Sequence, residues 1–146
     1  MTTNIKEILV PVDGSENSVR AARFAMDLAK AMRVGVRLLN VFPAASVELV
    51  GMAGMSRAEI EHAAQTSGQR AFDTIHQALA GELIDSVAHE TALGDPAEEI
   101  INWTDRDAGV LVVIGRRGLS RMRTLLLGSV SDKVIRHAKC PVTVVT

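Results

Sequence analysis

The sequence predicts an α/β domain: one doubly wound, five-stranded parallel sheet with helices on both faces. Short Val-, Ile- and Leu-rich runs alternate with longer segments whose apolar residues recur at helical spacing, giving the order βαβαβαβαβ expected of parallel strands joined by crossover helices. The chain has 146 residues, 47% of them apolar, which is about one domain's worth with enough side chain for a core. Residues 1–146 are therefore read as a single domain. Right-handed crossovers in the common strand order 3-2-1-4-5 would make strands one and four neighbours where the winding reverses. That order brings Asp13 and Gly115 to one crevice.

Ile5 to Val12 (IKEILVPV) is the first strand, and Ile8, Leu9, Val10 and Val12 form the near-continuous run of a strand buried on both faces. Asp13-Gly14-Ser15 is a turn, and Ser15 or Glu16 opens a helix to about Met32 with Ala21, Phe24, Ala25, Leu28, Ala29 and Met32 inward. Gly35 follows as the breaker. Val36 to Val41 is the second strand, and Phe42 to Ser56, with Pro43, Gly51 and Gly54, reads as a mobile loop. Arg57 to Ala80 is a long helix with Ile60, Ala64, Ala71, Ile75, Ala78 and Leu79 inward and Gly81 as its C-cap; Gly68 interrupts it. Ile84 to Ala92 is the third strand. Asp95-Pro96 places an N-cap before Pro at the first helical position, and Ile100, Ile101 and Trp103 or Thr104 carry that helix to about Asp107. Val110 to Ile114, Ser129 to Ala138 and Val142 to Val145 are the fourth strand, last helix and last strand.

Composition excludes several functions. Sixteen Lys+Arg against 17 Asp+Glu give a net charge of −1, no general field for nucleic acid or acidic membranes. A single cysteine, Cys140, excludes an internal disulfide framework and a multi-cysteine metal site, and is read as a small core residue. No stretch approaches the ~18 apolar residues of a membrane span, so a cytoplasmic protein is expected. Three Phe, one Trp and no Tyr leave little for stacking on single-stranded nucleic acid. His62, His76, His89 and His137 show no HExxH or i,i+4 pairing, so no protein-built metal site is expected. A Gly-x-Ser-x-Gly elbow is absent.

The chemistry lies after strand four, where Gly115-Arg116-Arg117-Gly118 is followed by nine residues and then Gly128-Ser129-Val130-Ser131 at the start of a helix. Glycine lets the backbone approach a bulky anion, while the free N–H groups and dipole of a helix N-terminus favour phosphate. Ser129 and Ser131 add hydroxyls. The segment is neither a GxxxxGK[ST] loop nor a GxGxxG fingerprint. On the residues alone, two alternatives stand: a phosphate site, or ordinary turn glycines with Ser129 and Asp132 as a capping pair. Asp13 is equally open between ligand contact and an Asx turn closing on Ser15.

The spacing G-x2-G-x9-G-S after VLVVIG and before KCPVTVV, together with the opening ILVPVDGSENS, resembles the ATP-binding branch of the universal stress protein family from Ile5 to Val145. The resemblance implies a Rossmann-like fold related to the adenine nucleotide alpha hydrolases. It implies that Pro11 and Val12 line an adenine pocket, that Asp13 contacts the sugar side, and that Val41 meets the adenine edge through its backbone. Gly115, Arg117 and Gly118 would border the ribose and phosphates, and Gly128, Ser129, Val130 and Ser131 would hold the phosphates. ATP is the implied cofactor, with Mg²⁺ held mainly by its phosphates. A homodimer is implied too, and the short, uncharged, β-branched strand PVTVVT gives a physical reason, because an exposed edge of that kind invites pairing with a second chain.

Two features depart from the family pattern. Gly109 stands where many relatives carry an aspartate, which should affect the start of strand four more than the ligand. Arg116, Arg117, Arg121 and Arg123 concentrate charge in the loop; Arg117 is the phosphate candidate, and the others are equally a solvated surface. The leading expectation is a nucleotide-dependent regulatory or stress-response protein with an unidentified protein partner, bound to neither nucleic acid nor membrane. A slow ATPase or phosphotransferase using Asp13 or a serine is the alternative, although a separate Walker-B-like acid is missing. A nucleotide-independent interaction module is the third.

Overall fold

The computed structural model describes residues 4–43, 51, 54–117 and 127–146. Its elements are β1 (Glu7–Pro11), α1 (Glu16–Met32), β2 (Gly35–Pro43), α2 (Arg57–Ala78), β3 (Val87–Gly94), α3 (Pro96–Arg106), β4 (Val110–Gly115), α4 (Ser129–His137) and β5 (Val142–Val145). The strands form one all-parallel sheet in the order β3-β2-β1-β4-β5. The expected fold class and strand order are thus found.

Alternation along the central strands divides the core in two, since successive side chains leave a strand on opposite faces. Ile8 and Val10 of β1 with Leu111 and Val113 of β4 pack under α1 and α2, against Ala25, Met26, Phe72 and Ile75. Leu9 of β1 with Val110, Val112 and Ile114 of β4 pack on the other side, against Ala97, Ile100 and Val134 of α3 and α4. Burial on both faces is why these strands read as unbroken apolar runs.

Several boundaries and faces differ from the sequence reading. Strand β3 begins at Val87, not Ile84, because parallel pairing with β2 starts at Val36↔Val87. The left-handed residue ending α1 is Arg33 (φ 59°), and Gly35 is the first residue of β2; a Cβ there would lie 2.9 Å from Ser86 Oγ. Helix α2 is capped by Leu79 at its C-terminus, with Gly81 (φ 84°) two residues beyond. In α1, Phe24 and Met32 are exposed, and Ser18, Ala22 and Met26 take the inward positions. In α2, Ala78 is exposed and Phe72 is buried. Thr104 is the buried residue of the α3 pair, while Trp103 lies between the Arg37 and Arg106 guanidinium groups, 4.9 and 4.5 Å from its ring centre. Cys140 packs at the edge of the second core, and burial pushes its thiol pKa up, as the core reading expects.

Gly68, an interruption in the sequence, has a packing reason. A Cβ at this position would collide with the Thr91 γ-methyl, so glycine lets α2 approach β3 this closely. Gly109 (φ 120°) is also fixed by its surroundings: its carbonyl accepts from Lys6 N at 2.7 Å, and a Cβ would meet Asn4 O at 2.8 Å. Most of the 42–56 segment, including Met52, lies outside the described residues, as do Gly118, Arg121 and Arg123.

Candidate functional site

At the carboxyl ends of β1 and β4 the chain turns to opposite faces of the sheet, into α1 and α4, and a crevice opens between the two exits. A cavity of about 370 Å³ fills it. Pro11, Val12, Asp13, Val41, Gly115, Arg117, Gly128, Ser129, Val130 and Ser131 all line this one cavity. Gly118 lies outside the described residues.

Two main-chain facts shape the β1–β2 side. Val12 N donates to Leu39 O at 2.8 Å, and the Val12 carbonyl accepts from Asn40 Nδ2 at 2.8 Å. The side-chain amide thus takes the carbonyl that a continuing parallel ladder would give to Val41 N–H. Because a strand residue directs its N–H and C=O to the same edge, Val41 presents both groups toward β1 just beyond the place where β1 has turned away. A donor and an acceptor stand side by side at the wall.

Asp13 makes the Asx turn that the sequence left open: its Oδ1 accepts from Ser15 N at 2.9 Å, and Gly14 (φ 83°) supplies the left-handed residue. The turn does not remove Asp13 from the crevice; it fixes the carboxylate at the cavity wall. Ser15 in turn caps α1 through its hydroxyl, which accepts from Ser18 N at 3.2 Å.

The β4 side is pinched shut at its base. Arg116 N donates to Val145 O at 2.9 Å, Gly128 N donates to Arg116 O at 2.8 Å, and Ser131 Oγ donates to Gly115 O at 2.8 Å. The Ser131 hydroxyl proton therefore ties α4 to β4. Arg116 is half-buried. Helices α1, α2 and α3 are capped by side-chain oxygens of Ser15, Ser56 and Asp95, whereas the N-cap of α4 is Gly128, with no side-chain cap. The capping pair considered for Ser129 and Asp132 does not form, and the Asp132 carboxylate instead receives Arg136 Nε at 2.9 Å. Among the described residues no side chain caps the first-turn amides of α4, which stand at the cavity at the positive end of the helix dipole.

The profile of the universal stress protein family matches residues 4–146. The chain belongs to the universal stress protein family. It is 33% identical over 141 residues to universal stress protein MJ0531 of Methanocaldococcus jannaschii, covering 96% of this chain and 81% of that protein. Among solved structures, MJ0577 from the same organism superposes with a TM-score of 0.75 at 26% identity, covering 96% and 94% of the two chains. A universal stress protein solved in complex with cAMP gives 0.65 at 22% identity, covering 97% of each chain. One from Archaeoglobus fulgidus in complex with dAMP gives 0.60 at 22%, covering 99% of this chain and 100% of that one. Some structural neighbours in the family are thus nucleotide complexes.

The sequence reading overlooked several members of the cavity wall. Asn40, Ser67 and Ser18 add polar groups, and Leu39, Ile100 and Ile114 add apolar surface. Asn40 carries a visible signal, as the one amide in the apolar run LLNVF; it is only 6% exposed. Ser67 carries none, because its place depends on how α2 lies over the sheet.

Proposed function

We propose that this universal stress protein binds an adenine nucleotide, with ATP as its ligand, in the crevice between β1 and β4, and acts as a nucleotide-dependent regulatory protein in the cytoplasm. The observation that carries the reading is one cavity holding the Val41 main-chain donor–acceptor pair near β2 and the uncapped N-terminus of α4. Adenine offers an amine donor beside a ring-nitrogen acceptor, the complement of a C=O beside an N–H; guanine offers the reverse order. Phosphates suit the first-turn amides of α4, residues 129–131, and the Arg117 guanidinium. Asp13 would take ribose hydroxyls. Mg²⁺ would sit on phosphate oxygens, since no three His, Cys, Asp or Glu side chains cluster as a metal site among the described residues. Among those residues no helix is long and apolar enough to cross a membrane.

The test is thermal unfolding of nucleotide-free protein with Mg-ATP, ADP, AMP or GTP. At ligand about 100 times Kd, linkage stabilises the fold by roughly 2.7 kcal/mol, a rise of about 5–10 °C for a chain of this size. Adenine nucleotides are expected to give that rise and GTP much less. No rise with any nucleotide at millimolar concentration leaves an interaction module in its place, and multiple turnover abolished by Asp13→Ala would establish an ATPase.

The chain also forms a homodimer in this reading, through β5. This strand has four residues, all half-buried, and pairs with β4 on one side. Its other edge offers Val-Thr-Val-Val to a second copy across a two-fold axis. Val144→Lys is expected to give monomer or aggregate by light scattering; an unchanged dimer mass would refute pairing at this edge.

A further inference from the structure

Outside the lining of the crevice, at the β3 edge of the sheet, two imidazoles meet. His76 projects from α2 and His89 from β3, with their Nε2 atoms 2.7 Å apart, ring centres 4.9 Å apart and planes inclined by 34°. Both side chains stand on regular elements, and Phe72 packs against the His89 ring at 4.9 Å, which limits its swing. We propose that His76 and His89 form a binding site for a divalent transition-metal ion that favours imidazole, such as Zn²⁺ or Ni²⁺, with water completing the coordination.

Three features carry the inference. First, the two Nε2 atoms are directed at each other, so both ligating atoms already share one small volume. Metal–nitrogen bonds of about 2.1 Å meeting near a right angle, as around Ni²⁺, would place the ring centres roughly 4.8 Å apart and the nitrogens roughly 3.1 Å apart; the wider tetrahedral angle of Zn²⁺ would place them roughly 5.3 and roughly 3.4 Å apart. The ring centres, 4.9 Å apart, match the first separation and fall about half an ångström short of the second, so the rings must turn and, for Zn²⁺, part slightly. Second, the protonation is compatible. In the neutral pair one Nε2–H donates to the other Nε2; binding moves that proton to the Nδ1 of its own ring and frees both lone pairs, with no net proton lost. Third, His89 is exposed and His76 half-buried, so the ion and its waters have access. Two imidazoles select against Mg²⁺ and Ca²⁺, which require oxygen. The histidines are not i,i+4 neighbours; α2 and β3 bring together residues 13 apart, a pairing that sequence spacing does not reveal.

The test is calorimetric titration of untagged, nucleotide-free protein with ZnCl₂ and with NiCl₂ in phosphate-free buffer, alongside ¹⁵N NMR of the histidine rings. The expected result is one ion per chain, with ring-nitrogen shifts at His76 and His89 and none at His62 or His137. Even an outer-shell contact supporting a metal ligand is worth about 10–100-fold in affinity. His76→Gln and His89→Gln should therefore each weaken binding at least ~tenfold, with the double variant little worse than either. An adventitious site elsewhere would leave affinity unchanged in both variants and would overturn the proposal. So would absence of saturation below millimolar metal, which would leave a hydrogen-bonded pair and nothing more.

Discussion

Replacing Ile75 with alanine is expected to lower the free energy of unfolding by about 2–5 kcal/mol, a large part of the roughly 5–15 kcal/mol that holds a domain together. Ile75 is fully buried where α2 meets the sheet. The rest of the α2 inner face is mostly small, with Ala64, Gly68 and Ala71, so its large anchors are Phe72, Ile75 and Leu79. Glycine at 68 brings the helix close to β3, and close approach leaves little room for neighbours to relax into a cavity at 75. Phe24→Ala removes a larger side chain but one that is 43% exposed, and should cost well under half as much. Urea unfolding of the two variants checks the order. Equal losses would mean that Phe24 packs in the core as Ile75 does.

Gly115→Ala should affect stability and binding together. Its Cβ would lie 2.8 Å from the Asn17 carbonyl oxygen and 2.9 Å from the carbonyl carbon, both backbone atoms of α1. No side-chain rotation relieves that contact, so α1 or the end of β4 must shift, at a cost of about 1–3 kcal/mol. The shift falls at the mouth of the crevice, where Gly115 O holds Ser131 and the next residue holds Gly128. Nucleotide affinity is expected to fall at least ~tenfold, the loss that about 1.4 kcal/mol of misplacement of the phosphate amides would produce. Gly128→Ala is the control for stability alone, because its φ of −69° suits any residue and its nearest protein contacts are 3.4 Å. Denaturation curves with ligand titrations of both variants separate the cases; wild-type affinity in Gly115→Ala would remove Gly115 from any role in shaping the site.

How much of this was legible in the sequence depended on what each signal measures. The central strands announced themselves because burial on both faces demands unbroken apolar runs, and Ser15 and Asp95 mark helix starts by chemistry that acts within a turn. Asp95-Pro96 located α3 to the residue. The inner face of α1 was misread because alanines sit on it and Phe24 does not; spacing identifies a stripe, but a stripe of small residues is ambiguous in angle. The start of β3 was misplaced because Ile84 is apolar and half-buried yet lies before the ladder begins. In the crevice, motif glycines and serines were readable by position. Their duties were not: Ser131 spends its proton on Gly115 O, and Asn40 ends the β1–β2 ladder, facts that exist only once distant strands are side by side. The His76–His89 contact belongs to the same class.

The peptide that joins Gly115 to Arg116 has a mechanical consequence. Its N–H is held by Val145 at the outer strand and its C=O, that of Gly115, holds the Ser131 hydroxyl in the first turn of α4, so one rigid, planar unit spans from sheet edge to helix start. A tilt of that plane lengthens one bond as it shortens the other. Breathing at the end of β5 and breathing at the start of α4 therefore occur as a single motion, and whatever stills one of them damps the other.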